Sequence, residues 1–427
     1  MILALDLGST AFKAGLFDTG MHCRGRAQTA VRYAYGSGGQ VEIEVASVLD
    51  LFRSAILGAL SQFGPGSPDI DRISITSQAQ TFTVLDGQGR AKTPFISWQD
   101  TRAAAVCEAM MSDPGFRDFA AHSSFPELLP GLQLCQLRHI RETAPCLIGP
   151  LDRVLVLPAF LIEALGGEAV VDDNLAAMGG LYSLRENDWW PLALDSCGLS
   201  TTQLPRIVAA GRPATSTGPQ AVELGLREGI PITAAGNDQT AGAFGARLHE
   251  ADAILVGLGT CQVAYRCIAR EPGPAPGIVR GPYPGRRFYQ MVVDDYGGNL
   301  VRWAETILRY CGSDIDFSEQ AAKAEAGCKG LRFRADLGRA SGAWTGIGFH
   351  HGPPELARSV LEELARRMSA IIRRFDPRAG TGTYLVSGGG RSSSPWIEIL
   401  SEAVGAELTV TDADPLLGAA LMAAEAQ

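Results

Sequence analysis

One short design occurs twice in this chain, and a duplicated design restricts the fold more than composition does. Residues 2–17 read as an apolar run, then Asp6-Leu7-Gly8-Ser9-Thr10, then a second apolar-leaning run carrying Lys13. Residues 253–267 repeat the layout with Ile254-Leu255-Val256, then Gly257-Leu258-Gly259-Thr260-Cys261, then Val263-Ala264-Tyr265. Each copy predicts a strand, a tight turn of glycine and hydroxyl residues, and a second strand. Glycine lets the backbone of such a turn approach a ligand, while successive N–H groups and a small hydroxyl converge on one spot suited to phosphate oxygens. Either turn alone reads more readily as an ordinary hairpin. Their shared layout predicts two related domains facing one nucleotide.

The copies differ at one position that matters chemically: Asp6 stands where the second copy has Gly257. A carboxylate beside a phosphate-binding turn repels phosphate unless a cation lies between them, and Mg²⁺ binds through one or two carboxylates plus substrate phosphates. The asymmetry predicts a single Mg²⁺-nucleotide, with Asp6 at the metal and the hydroxyls of Thr10 and Thr260 on phosphate.

The chain has 427 residues, more than one hydrophobic core usually serves, which favours two domains. With 46% hydrophobic residues, 19% charged and 50 glycines, it should form well-packed, turn-rich α/β layers. A net charge of -9 disfavours nucleic acid and anionic membrane surfaces as partners. The nine cysteines, Cys311 among them, are scattered and form no C-x-x-C pair, which reads as reduced thiols in a cytoplasmic protein. With no basic n-region or cleavage site at the N-terminus and no apolar stretch of transmembrane length, neither a signal peptide nor a membrane span is expected.

Along the chain, Val48, Leu49, Phe52, Ile56 and Leu60 predict a helix over 47–60, and a strand follows at 72–76. Residues 82–85 form a further apolar run, and 132–140 and 158–165 read as helical. The stretch 206–228 is rich in loop residues and ends in Gly229-Ile230-Pro231, so the domains are expected at 1–231 and 232–427. The second half opens with a strand at 232–235, the turn Gly236-Asn237-Asp238-Gln239 and a small-residue helix over 240–246. Leu356, Val360, Leu361, Leu364, Met368, Ile371, Ile372 and Phe375 give the clearest helical period, that of a core-facing helix. A buried strand at 383–386 runs into Ser387-Gly388-Gly389-Gly390-Arg391, ahead of a helix over 394–404. Three glycines between strand and helix permit close approach to a flat or charged group, although such turns also serve tight packing. Only four lysines occur and none follows a G-x-x-x-x-G pattern, so the chain has no P-loop. The G-x-G-x-x-G fingerprint is also missing after any expected strand.

The ordered set Asp6-Leu7-Gly8-Ser9-Thr10, Ser77-Gln78 with Trp98-Gln99-Asp100-Thr101-Arg102, Gly236-Asn237-Asp238-Gln239, Gly259-Thr260 and Ser387-Gly388-Gly389-Gly390 resembles the FGGY carbohydrate kinase family. The match extends from residue 2 to about residue 420, through Leu157-Pro158 and Leu417-Gly418-Ala419-Ala420. The resemblance implies two actin-like ribonuclease H domains, duplicated, with an inter-domain cleft that closes on ATP and a sugar or polyol. It implies ATP-dependent phosphorylation of a carbohydrate hydroxyl, with ATP and Mg²⁺ as cofactors, a small-molecule carbohydrate as partner, and room for a homodimer.

Phosphoryl transfer needs positioning, charge stabilisation and a group that accepts the hydroxyl proton. Asp238 follows a buried strand, precedes a helix and is the only acidic residue between Glu228 and Glu250. It also reads as a helix N-cap; the resemblance implies the catalytic base. Gly8, Ser9, Thr10, Lys13, Gly259, Thr260, Gly388, Gly389 and Gly390 become the ATP residues. Gln78, Gln80, Trp98, Asp100 and Arg102, with Asp238, become the acceptor residues. An indole covers the C–H face of a polyol, while carboxylate and guanidinium bond its hydroxyls. Glycerol kinases carry arginine and glutamate where Ala79 and Gln80 stand, and xylulose kinases carry methionine and histidine, so neither specificity follows. Cys261 replaces the Ser or Thr that often ends the second turn. The competing reading is an actin-like ATPase or nucleotide-binding scaffold that phosphorylates no sugar, which would need neither Asp238 nor the segment 98–102.

Overall fold

The first turn is set by a strand that is apolar throughout except at its end. Strand β1 (Ile2–Leu7) is buried along its whole length, as a central strand covered on both faces must be. It pairs antiparallel with β2 (Ala11–Phe17), which pairs with β3 (Cys23–Ala30), and on its other edge it runs parallel to β4 (Arg72–Ser77). The computed structural model describes residues 1–64, 66, 68–310, 316–336, 341–376 and 380–426. Cys311 and the side chain of Phe375 lie outside the described residues.

The chain divides into two compact units, Met1–Gly245 with Ile268–Tyr289 and Asp414–Gln427, and Ala246–Cys267 with Gln290–Ala413. In the first unit the sheet runs β5–β6–β4–β1–β2–β3, where β5 is Arg212–Ser216 and β6 is Pro231–Asn237. Helix α1 (Val45–Ser61) covers it with Val48, Phe52, Ala55, Ile56 and Ala59, whereas Leu49, expected on that face, is 38% exposed. A second core in the same unit gathers Phe82, Val84, Leu134, Leu137, Val154, Trp189 and Trp190 around the strands Phe82–Leu85 and Arg153–Val156 and the helix Gln133–Thr143.

In the second unit β7 (Ala253–Leu258) and β8 (Gln262–Ile268) form an antiparallel hairpin, and β7 runs parallel to β10 (Thr383–Ser387). The order β9–β8–β7–β10–β11, with β9 at Arg287–Asp294 and β11 at Leu408–Val410, repeats β3–β2–β1–β4–β6 of the first sheet. Helix α4 (Gly298–Tyr310) follows β9. The long helix α5 (Pro353–Phe375) buries Val360, Leu361, Leu364, Met368 and Ile372, as its period predicts. Helix α6 (Ser394–Val404) follows the three glycines.

The boundary expected at 231/232 does not coincide with these units. Residues 206–228 contain the edge strand β5, and β6 pairs antiparallel with it and parallel with β4, so the strand expected to open the second half sits inside the first sheet. Helix α3 (Asp238–Gly245) stays with that sheet too, packed on the C-terminal helix α7 (Pro415–Glu425). The contact requires glycine: a Cβ at Gly418 would lie 1.7 Å from the Ala241 carbonyl oxygen. Loop-forming residues between two periodic segments hid this edge strand, whose one partner is β6. Among the described residues no helix is long and apolar enough to cross a membrane.

Candidate functional site

Asp6 is the one acid in β1 and is 1% exposed. Antiparallel pairing sets Lys13 directly across from it, and Lys13 Nζ donates to Asp6 Oδ2 at 2.7 Å. The other oxygen, Oδ1, is buried without a hydrogen-bond partner. Burial pushes the carboxyl above its ordinary value, and Lys13 opposes that. The turn beyond is confined: a Cβ at Gly8 would meet the Ala11 carbonyl oxygen at 3.1 Å and Asp6 Oδ1 at 3.4 Å. Thr10 is exposed at its tip, and the Ser9 carbonyl accepts a bond from the Tyr33 hydroxyl at 2.8 Å. An orphaned carboxylate oxygen beside a glycine turn fits a hard cation. Among the described residues no three His, Cys, Asp or Glu groups gather as a metal cage. A cation at Asp6 would therefore complete its shell with water and phosphate oxygens, which is the habit of Mg²⁺.

Asp238 opens α3 within the same unit as Asp6. Its side chain keeps a face toward solvent, yet protein packs closely around the carboxyl. Burial and then the nearby Asp6 push it up to about 7, while the Gln239 N–H and Lys13 pull it down. The cap reading is only partly met, because the Gln239 N–H donates to Asn237 Oδ1 at 3.0 Å as well as to Asp238 Oδ1 at 2.8 Å. The Asn237 side chain shares that amide, so Asp238 is not its sole acceptor. A carboxylate with a proton affinity near neutrality is suited to proton transfer.

The acceptor segment divides into exposed and buried members. Gln78 continues β4, its N–H donating to the Leu7 carbonyl at 3.0 Å, and its Nε2 is buried without a partner. Trp98 is 43% exposed, so it is no core residue. Asp100 is fully buried and accepts from the Val41 N–H, the Arg102 N–H and guanidinium, and Gln136 Nε2. Its carboxylate is thereby occupied within the protein, and it aims Arg102 instead of presenting free oxygens. Glu42 bonds Arg102 Nη2 as well. Gln80 adopts a left-handed backbone, φ 69°, and its Nε2 donates to the Met178 carbonyl at 3.1 Å. Expected to face the acceptor, it is tied to the backbone.

In the second unit, the turn Gly259-Thr260-Cys261 is braced by the start of α4. The Gly298 and Asn299 N–H groups donate to the carbonyls of Gly259 and Thr260 at 2.8 and 3.1 Å. A Cβ at Gly297 would lie 2.7 Å from the Cys261 carbonyl carbon, which explains Gly297-Gly298. The three glycines after β10 are not equivalent. At Gly388, φ 88°, a Cβ would lie 2.7 Å from the Leu258 carbonyl oxygen, and at Gly390 it would lie 2.7 Å from Trp396. At Gly389 it would meet nothing within 4 Å.

Sequence reasoning missed Glu42, Gln136, Tyr33, Gly297 and the segment Asp172 to Asn174. Only the last left a trace, an Asp after an apolar pair where a short helix begins.

Models of the FGGY family of carbohydrate kinases match this chain, the N-terminal domain at residues 1–245 and the C-terminal domain at 320–426. The xylulose kinase of Escherichia coli (strain K12) is 26% identical over 373 residues, covering 83% of this chain and 76% of that protein. The glycerol kinase of Brucella ovis is 26% identical over 429 residues, covering 92% and 83%. The crystal structure of xylulose kinase from Rhodospirillum rubrum superposes with a TM-score of 0.89 at 21% identity, covering 99% of this chain and 89% of that one. The fold is the two-domain actin-like ATPase fold that such kinases share. Both halves of one family's architecture are present in order, and the chain belongs to the FGGY family of carbohydrate kinases, enzymes that pass a phosphoryl group from ATP to a carbohydrate.

Proposed function

We propose that this kinase phosphorylates a hydroxyl of a ketose, a polyol or a related sugar acid, with Asp238 accepting the proton as the new P–O bond forms. The observation that carries the assignment is the carboxyl of Asp238 at the head of α3, raised to about 7 by burial and by Asp6. A base of that strength is half ionised near neutral pH, where proton transfer is most effective. Asp6 and Lys13, with the turn Gly8-Ser9-Thr10, hold phosphate, and Gly259 and Thr260 form the second phosphate turn. Mg²⁺, when bound through Asp6, neutralises phosphate charge. Gly389 leaves room for the adenosine. Gln78, Trp98 and Arg102 contact the acceptor: the indole covers its C–H face, and the free amide of Gln78 donates to a hydroxyl. Asp100 and Gln80 shape this wall from behind. The free thiols among the described cysteines suit a reducing cytoplasm.

Ala79 supports a substrate larger than glycerol, since a small side chain stands where glycerol kinases carry arginine. The test is an ATP-consumption assay over glycerol and a panel of five- to seven-carbon ketoses, polyols and sugar acids. A larger candidate should give the highest kcat/KM. Glycerol outranking every one of them would sink the size argument, and ATP hydrolysis without any acceptor response would favour a non-phosphorylating ATPase.

A further inference from the structure

Asp238 owes its place to side chains that lie in neither its strand nor its helix. The turn before it is irregular: Gly236 has φ 71°, and the register of β6 on β4 shifts between Ala234 and Asn237. Backbone that leaves a ladder in a buried place must find other partners for its N–H groups. Here the Gly236 N–H donates to Asp172 Oδ2 at 3.1 Å, and the Asn237 N–H donates to Asn174 Oδ1 at 2.8 Å. The two amides immediately before Asp238 are thus held by one short stretch of chain.

Asn174 is fully buried, and its other end is occupied as well. Nδ2 donates to Thr240 Oγ1 at 3.1 Å and to the Pro282 carbonyl at 2.7 Å. One amide side chain therefore grips the residue before Asp238 and the residue two after it. There is little slack, because a Cβ at Gly236 would already stand 3.0 Å from Asn174 Oδ1. Asp172 caps helix α2 (Asp173–Ala177) through the Leu175 N–H at 2.9 Å, which stiffens the stretch. At the far end of α2, the Met178 carbonyl accepts from Gln80, beside the acceptor residue Gln78. The segment from Asp172 to Met178 holds the turn of the base at one end and the acceptor turn at the other.

We propose that Asn174 and Asp172 are positioning residues for phosphoryl transfer, acting through Asp238 by fixing its turn relative to the acceptor turn. The proposal rests on the reading of Asp238 as the base. Reaction within a bound complex depends on sub-ångström placement, and a displacement of about 1 Å can cost ~10²-fold in rate. Loss of either grip should therefore appear in kcat, with little change in the affinity for either substrate.

The experiment compares Asn174→Leu, Asp172→Asn, Asp238→Asn and the double variant N174L/D238N in the full chain, using an acceptor turned over in the panel assay. Kcat, both KM values and the melting temperature are read for each. N174L and D172N should lower kcat ~10- to 100-fold with both KM values nearly unchanged. The double variant should be no slower than D238N alone beyond about twofold, since a residue that works through the base has nothing left to position. Wild-type turnover in both single variants would overturn the proposal, as would losses that multiply in the double variant. If N174L does not fold, D172N carries the decision, because it keeps side-chain volume and removes one bond. Wild-type turnover in D238N would instead refute the base assignment, and it is seen without any change at 172 or 174.

Discussion

At the scale of single residues, Asp238 carries the sharpest expectation. Its folded-state pKa of about 7 lies above the ordinary 3.8, so the folded protein holds that proton more tightly than the unfolded chain does. The resulting stabilisation is full below about pH 4 and is lost as the pH rises through about 7, where the base form appears. Turnover should rise over the same range. Asp238→Asn should lower kcat by ~10²–10⁴-fold without preventing ATP binding. In the absence of nucleotide it should melt no lower than wild type at pH 8, and its advantage should shrink toward pH 4. A drop in melting temperature at pH 8 with unchanged kcat would mean that the carboxylate serves structure alone. The proposed role of Asp238 came from the family resemblance, whereas its position, that of a lone acid between a buried strand and a small-residue helix, was legible in sequence. The role of Asp100 was not, since its bonds run to Val41 and Gln136, far along the chain. A motif announces which residue types meet a ligand, but only packing decides which of them still has a free atom.

Among the elements, the three glycines after β10 separate packing from binding. Gly388 and Gly390 face Leu258 and Trp396 of their own unit, whereas Gly389 faces open space. Gly390→Ala should cost about 1–3 kcal/mol by overpacking, measured by denaturant unfolding. Gly389→Val should leave that stability unchanged and raise the KM for ATP well above any change in the acceptor KM. Equal rises in both constants would remove the adenosine assignment. The strands and helices with strong periods, α1, α5 and β1, were readable because burial on one face or on both leaves a regular mark. Strand β5 was not, since an edge strand carrying Arg212, Pro213 and Ser216 has the composition of a loop.

For the molecule as a whole, nucleotide binding and folding are linked. A ligand that binds only the folded state stabilises it, by about 2.7 kcal/mol at a hundredfold excess over Kd. Mg²⁺ and ATP together should raise the melting temperature, and chelating the metal with EDTA should abolish most of that rise along with turnover. Asp6→Asn should respond to ATP but gain little from added Mg²⁺. A variant that kept the full metal-dependent rise would place the cation elsewhere.

The C-terminal helix α7 has a consequence for how the protein is made. It lies against α3 at Gly418, Arg26 pairs with its capping Asp414 at 2.8 Å, and Arg72 donates to the Ala423 carbonyl across 351 residues of chain. The first unit is thus completed by a helix that follows the whole second unit in the chain. At ~5–20 residues per second, that leaves Arg72 waiting about 20 to 70 s for its partner. A message cut short before residue 414 would yield a chain that holds every residue assigned here to chemistry but lacks the helix that closes the unit around Asp6 and Asp238. Such a chain would leave uncovered the faces of β1 and α3 on which α7 packs.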